Sequence, residues 1–326
     1  MRLLVLGGTH FLGRHVATAA LDRGHDVATF TRGVSGEPPA GARALHGDRD
    51  DPAALPAALD GWRPDLVVDT SCQTRAAARN AAAVLGDVRG YVFVSSLNAY
   101  RNWPPGPIGA EDGEPIWTTD DDEYGAIKAD NERVLGSALP DRFLTARAGL
   151  IVGPHDPVYR LGWWLDRISR GGRVVVPAEG MDLPISLIDA RDLAAWLVES
   201  AELGRTGAVN ATGPAGMTTL GGLLEVCRAV TGSSAEWVRV PEEDLLAADV
   251  QEWVHLPLWL RRKSARTAWD VDTTRARELG LGTRPLEKTV ADTWGWMQTS
   301  EQPPLPANRP APGLPTDLEA QLLAGR

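Results

Sequence analysis

The feature that most constrains this chain is the turn Gly7-Gly8-Thr9-His10-Phe11-Leu12-Gly13, which follows directly on the short apolar run Arg2-Leu3-Leu4-Val5-Leu6. Such a run ending in glycines reads as a buried strand, and Arg14 to Arg23, with Val16, Ala19, Ala20 and Leu21 on one stripe, reads as a helix. A second strand at Asp26–Thr31 completes a strand–turn–helix–strand unit of the kind that opens dinucleotide-binding folds. Gly7 permits the tight turn, Gly13 lets the helix pack on the strand, and the helix N-terminus offers free amides to a pyrophosphate. Thr9, His10, Phe11 and Leu12 fall inside the same expected cofactor site. A side chain at His10, midway between the outer glycines, must either turn away from the phosphates or help bind them.

The alternation continues. Ala42–His46, Asp65–Asp69, Gly90–Ser96 and Phe143–Ala148 read as strands, with helices at Pro52–Leu59, at Arg75–Leu85 and from near Asp120 after a loop at Asn102–Thr119. Strand–helix order throughout predicts an α/β fold, a doubly wound parallel Rossmann sheet with a second, smaller C-terminal substrate domain. Residues 1–155 form the dinucleotide-binding domain, completed by 183–212, with a strand at Pro184–Ile188, a helix at Ala190–Ala201 and a last strand at Ala208–Ala211. Residues 156–182 and 213–300 form the substrate domain, with helices at Tyr159–Arg170, Leu220–Thr231 and Val271–Leu279 around the tryptophan-rich stretch Trp237–Trp269. Residues 298–326 form a proline-rich arm, with six prolines from Gln298 to Pro315, and a short terminal helix at Asp317–Leu323.

Composition removes several function classes. A formal charge of −10 argues against nucleic acid or an anionic membrane surface as the main partner. The only cysteines, Cys72 and Cys227, are too few for a disulfide framework or a thiolate metal site, which fits a reducing cytoplasm. The six histidines lack ligand spacing, so no metal site is expected. The apolar start is a strand rather than a signal peptide, and no stretch is long enough to span a bilayer. The sequence leaves open whether the chain acts alone or as a homodimer.

Candidate chemistry sits at the strand ends. The second strand closes on Thr31-Arg32-Gly33, where an NAD site usually places an acid for the ribose hydroxyls; Arg32 instead suits a 2′-phosphate. NADP(H) is therefore preferred, with NAD(H) admissible, unless Arg32 is only a solvated residue at a strand end. Asp48 is placed to accept from an adenine amino group or to cap the following helix, and Arg49 beside it joins the expected cofactor set. The fifth strand ends in Ser95-Ser96, and the helix after it carries Tyr124 and Lys128 one turn apart on one face. A phenol is a poor acid–base at neutral pH unless its phenolate is stabilised, and an ammonium one turn away does that. A serine hydroxyl beside them would hold a carbonyl or alcohol against the hydride-bearing carbon.

These residues together resemble the short-chain dehydrogenase/reductase superfamily, in its extended or atypical NAD(P)-dependent epimerase/dehydratase group. The nearest pattern is a bacterial branch opening Gly-Gly-Thr-x-Phe-Leu-Gly. The resemblance runs from Gly7–Gly13 through Thr31-Arg32-Gly33, Ser95–Tyr100, Tyr124/Lys128 and Arg147–Asp156 to Ile188–Leu193. It implies Tyr124 as acid–base, Lys128 as ribose ligand and tuner of Tyr124, and Ser96 as the carbonyl-orienting hydroxyl. The family pattern would place a glycine where His10 stands. Leu150 replaces an asparagine that contacts nucleotide-sugars in the superfamily, and Leu183 stands where the branch often has an arginine. With Trp117, Trp163 and Trp164 expected beside Leu150 in the substrate pocket, these changes suggest an apolar or aromatic small molecule, although the tryptophans would equally fill a small core. The leading expectation is NADP(H)-dependent carbonyl reduction, or the reverse alcohol oxidation, of a hydrophobic metabolite. The alternatives are a redox-neutral epimerase or dehydratase, and a non-catalytic RNA-associated binder similar to chloroplast stem-loop proteins.

Overall fold

The computed structural model describes residues 1–118, 121–303, 305, 310–324 and 326. Strands β1 (Arg2–Leu6), β2 (Asp26–Thr31), β3 (Arg43–His46), β4 (Leu66–Asp69), β5 (Gly90–Ser96), β6 (Phe143–Ala148) and a seventh at Gly207–Ala211 form one sheet. From one edge the order is Gly207–Ala211, β6, β5, β4, β1, β2, β3, and every pair is parallel. The chain winds outward in both directions from β1, so the carboxyl ends of β1 and β4 flank a crevice where ligands bind in such sheets.

Because helices cover both faces, the central strands are apolar without alternation. Leu3, Val5, Val27 and Val68 pack against α1 (Phe11–Asp22) and, later in the chain, the helix Ala190–Ala201 extended by one residue to Glu202. Leu4, Leu6, Phe30 and Val67 pack on the opposite face, under α2 (Ala54–Leu59), α3 (Arg75–Leu85) and α4 (Tyr124–Ala138). The Rossmann fold expected from the sequence is the fold of this protein.

A second core lies beyond β6. It gathers Trp164, Leu165 and Ile168 of α5 (Arg160–Ser169) with Leu223, Leu224 and Cys227 of the helix Leu220–Thr231. A parallel pair, Arg173–Pro177 with Glu236–Val240, closes one side. Trp259 and Trp269 from the tryptophan-rich stretch lie inside it, and so do Leu314 and Leu322.

Several elements differ from expectation. Helix α4 begins at Tyr124, not near Asp120; Thr119 and Asp120 lie outside the described residues, and Asp122 pairs with Arg75. The expected strand Pro184–Ile188 splits into Pro184–Ile185, antiparallel to Thr218–Thr219, and Ile188–Asp189, parallel to Ile151–Val152. Between them Ser186 is buried and donates to the Gly213 carbonyl, which turns the chain. The helix expected at Val271–Leu279 shortens to Thr274–Glu278, because Val271 bridges to Ile108. A helix at Leu286–Thr299 had no counterpart in the sequence reading; Thr289, Val290 and Thr293 are its most buried residues, and Leu286, Trp294 and Met297 also pack on the second core. Among the described residues no helix is long and apolar enough to cross a membrane.

Candidate active site

A cleft of about 550 Å³ opens along the carboxyl ends of the strands. At its centre is the glycine turn. Gly7 and Gly8 adopt φ +105° and +111°, a region that side chains avoid. A methyl group on Gly13 would stand 2.6 Å from the Gly8 nitrogen, so the first turn of α1 presses against the glycine turn with no room for a side chain. The α1 N-cap, His10, makes no side-chain cap bond, which leaves the first helical amides open to the cleft. Gly7, Thr9, His10, Phe11, Leu12 and Gly13 all line it. A bare backbone cradle facing open helical amides fits a dinucleotide's diphosphate.

One end of the cleft is formed by the end of β2 and the turn after β3. Arg32 lies exposed at this rim, and no hydrogen bond or ion pair holds it among the described residues. Asp48 also lines the wall, and one of its oxygens accepts from the Asp50 amide. Arg49, expected in the cofactor set, lines the cleft with its guanidinium already engaged. Its guanidinium forks onto the fully buried Asp69 through two 2.7 Å bonds, and Tyr91 donates to the same carboxylate at 2.7 Å. Burial pushes the Arg49 pKa down, but the Asp69 charge outweighs it and leaves the group above its usual range.

At the other end Ser96, Tyr124 and Lys128 line the same cleft, with Ala148, Gly149, Ile151 and Pro157 beside them. Lys128 is buried, and its ammonium donates to the carbonyls of Cys72 at 3.0 Å and Val94 at 3.1 Å. It lies 5.7 Å from the Tyr124 ring centre. Ser96 Oγ accepts from the Asn98 amide at 3.2 Å and from Asn98 Nδ2 at 3.1 Å. With both lone pairs engaged, the hydroxyl proton is left for an acceptor in the cleft.

Under this end Ser95, Tyr100 and Arg147, known from the sequence only as motif positions, meet Glu132 and Asn210, which sequence reasoning did not find. Ser95 donates to Glu132, which Arg147 grips through Nε and Nη2. The Arg147 guanidinium lies 4.6 Å from the Tyr100 ring centre, and Tyr100 donates to Asn210 at 2.6 Å. Burial pushes the Tyr100 phenol up to about 12. Glu132 is four residues after Lys128, hence on the same helical face, and that spacing was the available signal.

The expected substrate residues are elsewhere. Trp164 is wholly buried, with its indole bonded to the Pro257 carbonyl, and Trp163 packs edge-on against it at 4.8 Å. Leu150 belongs to the same second core. These three fill the smaller body of the protein because their apolar surface finds a dry interior there. Trp117 braces the site from behind: its indole donates to the Asn98 carbonyl at 3.0 Å, next to Gly125 of α4. None of the four lines the cleft. Among the described residues, no group of three or more His, Cys, Asp or Glu side chains could hold a metal ion.

A parallel sheet in this strand order, with a glycine cradle at its switch point, defines a nucleotide-binding Rossmann protein. The profile of the NAD dependent epimerase/dehydratase family matches residues 3–211. The chain belongs to that family. It is 29% identical over 211 residues to a 2'-dehydrokanamycin reductase of Streptomyces kanamyceticus, a match spanning 61% of this chain but only 57% of that relative. It is 26% identical over 291 residues to a dTDP-6-deoxy-L-talose 4-dehydrogenase (NAD(P)(+)) of Kitasatospora kifunensis, covering 81% of this chain and 89% of the relative. In fold it resembles the Bordetella bronchiseptica enzyme WbmH in complex with NAD+, with a TM-score of 0.71 at 18% identity over 91% of this chain and 98% of the other.

Proposed function

We propose that this enzyme is an NADP(H)-dependent oxidoreductase that interconverts a carbonyl and an alcohol on a small metabolite. The observation that carries the reading is the gathering of Ser96, Tyr124 and Lys128 at one end of a cleft whose middle is the glycine cradle. The dinucleotide, when bound, supplies the hydride acceptor or donor. Tyr124 gives or takes the substrate oxygen's proton. Lys128, fixed by two carbonyls, holds its positive charge 5.7 Å from the centre of the phenol ring. Ser96, its lone pairs held by Asn98, donates to the substrate oxygen and fixes its distance from Tyr124. One relative is named as a reductase and the other as a dehydrogenase, which supports net redox chemistry over a redox-neutral cycle.

The proposed substrate carries no diphosphate. Of the two arginines lining the cleft, Arg49 is tied to Asp69 and Arg32 stands at the adenosine end, so neither serves a second diphosphate beside Tyr124. Trp163 and Trp164, being core, lend no support to an aromatic substrate; Ala148, Gly149 and Ile151 leave room for an apolar one. The two cysteines are buried and free, in keeping with the cytoplasm.

The unpaired Arg32 should favour NADP(H) over NAD(H) by about tenfold, for which roughly 1.4 kcal/mol suffices. Calorimetric titration with both cofactors reads this ratio, and Arg32→Asp should reverse or abolish it. Equal affinities in the wild type overturn the NADP(H) preference. NADPH oxidation is then followed against ketones, aminoglycoside ketones and nucleotide-linked keto-sugars. Turnover of a nucleotide-sugar with no net cofactor change would replace the oxidoreductase reading by the epimerase one.

A further inference from the structure

His10 stands where the turn could have held another glycine, yet its imidazole remains at the cleft. It lines the cleft between Thr9 and Phe11, on extended backbone at φ −133° and ψ 138°, and it is half-buried. No hydrogen bond engages its ring among the described residues. It also has imidazole company: His155 sits in the loop that supplies Pro157 to the cleft wall, packs edge-on against His15 at 5.7 Å and lies tilted against Trp296 at 5.1 Å. His15 Nε2 is 3.0 Å from the Pro154 carbonyl.

We propose that the His10 imidazole takes up a proton when a dinucleotide binds and pairs with its diphosphate, so that cofactor affinity rises as pH falls through neutrality. The inference rests on the dinucleotide reading of the cleft. In the free protein, burial holds His10 below its usual value, so the ring is neutral at pH 7. His15 is likewise lowered by burial, and His155 is lowered to about 4, by burial first and then by the His15, Arg14 and His10 charges. The charged groups around the trio are Arg14 on α1, which donates to the Glu37 carbonyl, and Asp189 and Arg191 toward His15. Across the cleft are Arg32, Asp48, the Asp69-bound Arg49 and Lys128.

A diphosphate laid on the α1 amides introduces anionic charge beside His10, and an adjacent anion raises an imidazole pKa. The sign follows. With the bound value above the free one, affinity is highest below the free value, falls as pH rises between the two, and is flat above the bound value. Each unit of separation changes affinity about tenfold.

The test is calorimetry of NAD+ and NADP+ binding from pH 5.5 to 8.5, in buffers of differing ionisation enthalpy, for the wild type, His10→Gly and His10→Gln. The quantity read is the difference in proton uptake between wild type and variant, in which the 2′-phosphate's own titration cancels. Expected are net uptake of a fraction of a proton near pH 7 in the wild type and its loss in both variants. The wild type should also lose about tenfold in affinity between pH 6 and 8, more than either variant. Binding with no excess uptake over the variants, or His10→Gly binding as tightly at every pH, overturns this inference alone. Failure of both dinucleotides to bind overturns the cofactor reading along with it.

Discussion

Tyr124 and Lys128 share one face of α4 but differ in exposure, Tyr124 at 44% and Lys128 at 2%. The tyrosine opens the helix at the mouth of the cleft, where a substrate oxygen can reach it. The lysine is anchored by the Cys72 and Val94 carbonyls, so its ammonium keeps its place whatever stands at position 124. This separation makes Tyr124→Phe a clean test. The ring is kept and only the proton relay is lost, so turnover should fall by about 10²–10⁴. Dinucleotide affinity, read by calorimetry, should stay within about twofold of wild type. Near-normal turnover of the variant would mean that the fold carries another chemistry. Ser96 is supported differently. Its neighbour Ser95 is tied through Glu132 to Arg147, an ion pair with side chains 6% and 7% exposed. A buried pair of this kind contributes more to a single geometry than to net stability, because desolvation offsets most of its attraction.

The contact between the glycine turn and α1 gives an element-scale prediction. Gly13→Ala would press a methyl to 2.6 Å from a backbone nitrogen and 2.8 Å from Thr70 Oγ1, and backbone cannot yield as a flexible side chain can. The helix must move off the turn, so both dinucleotide affinity and the thermal midpoint should drop. Gly86→Ala is the control: this helix-end glycine has φ −63° and meets nothing closer than 3.5 Å. It should leave binding intact and change stability by less than about 1 kcal/mol. Equal behaviour of the two variants in calorimetry and melting would remove the packing argument. The same contact explains why the first half of the fold was legible in sequence. Strands buried on both faces are continuous apolar runs, and glycines between run and helix have few other uses. The second half was less so. Helical spacing marks Trp163, Trp164 and Leu165 as an apolar face without saying which surface it meets, and the structure gives that face to a core. The Leu286–Thr299 helix went unread although Leu286, Val290, Trp294 and Met297 stand at helical spacing against the second core; Thr289 and Thr293 share its most buried face, and Thr293 satisfies its hydroxyl on the Thr289 carbonyl. Of the site, Ser96, Tyr124 and Lys128 were readable from local spacing. Glu132–Arg147 and Arg49–Asp69 are pairs between separate elements, which spacing alone does not join.

At the scale of the molecule, the C-terminal segments tie the two cores together. Leu314 and Leu322 enter the second core, while Glu319 of the terminal helix Thr316–Ala324 pairs with Arg167 of α5 at 2.9 Å. The tie to the Rossmann body is partly apolar, through Ala276 and Leu281 in its core, and partly electrostatic. Asp189 caps the helix Ala190–Glu202 and accepts from the Arg191 amide, the Arg191 side chain and Thr289 of Leu286–Thr299. Asp292 of the latter helix pairs with the same Arg191 at 2.6 Å, and Arg284 pairs with Asp192 at 2.7 Å. Burial tends to push the Asp189 carboxyl up, but hydrogen bonds from Arg191 and Thr289 together with the Arg191 charge outweigh it and hold it below the usual carboxylate range. The sign for stability follows from a depressed folded value. The contribution is complete above the ordinary carboxylate value of about 4 and is lost as pH falls through the folded value. The wild-type thermal midpoint should therefore hold from pH 7 to about 5 and decline below about 4 as the carboxylates protonate. Asp189→Asn removes the charge but keeps an acceptor, and should cost about 1–3 kcal/mol at pH 7. The difference between wild type and variant should shrink steadily in the acid range, because a protonated Asp189 offers Arg191 little more than an asparagine does. A constant difference from pH 7 to 3, or none at pH 7, would show that the two bodies are held by their apolar contacts alone.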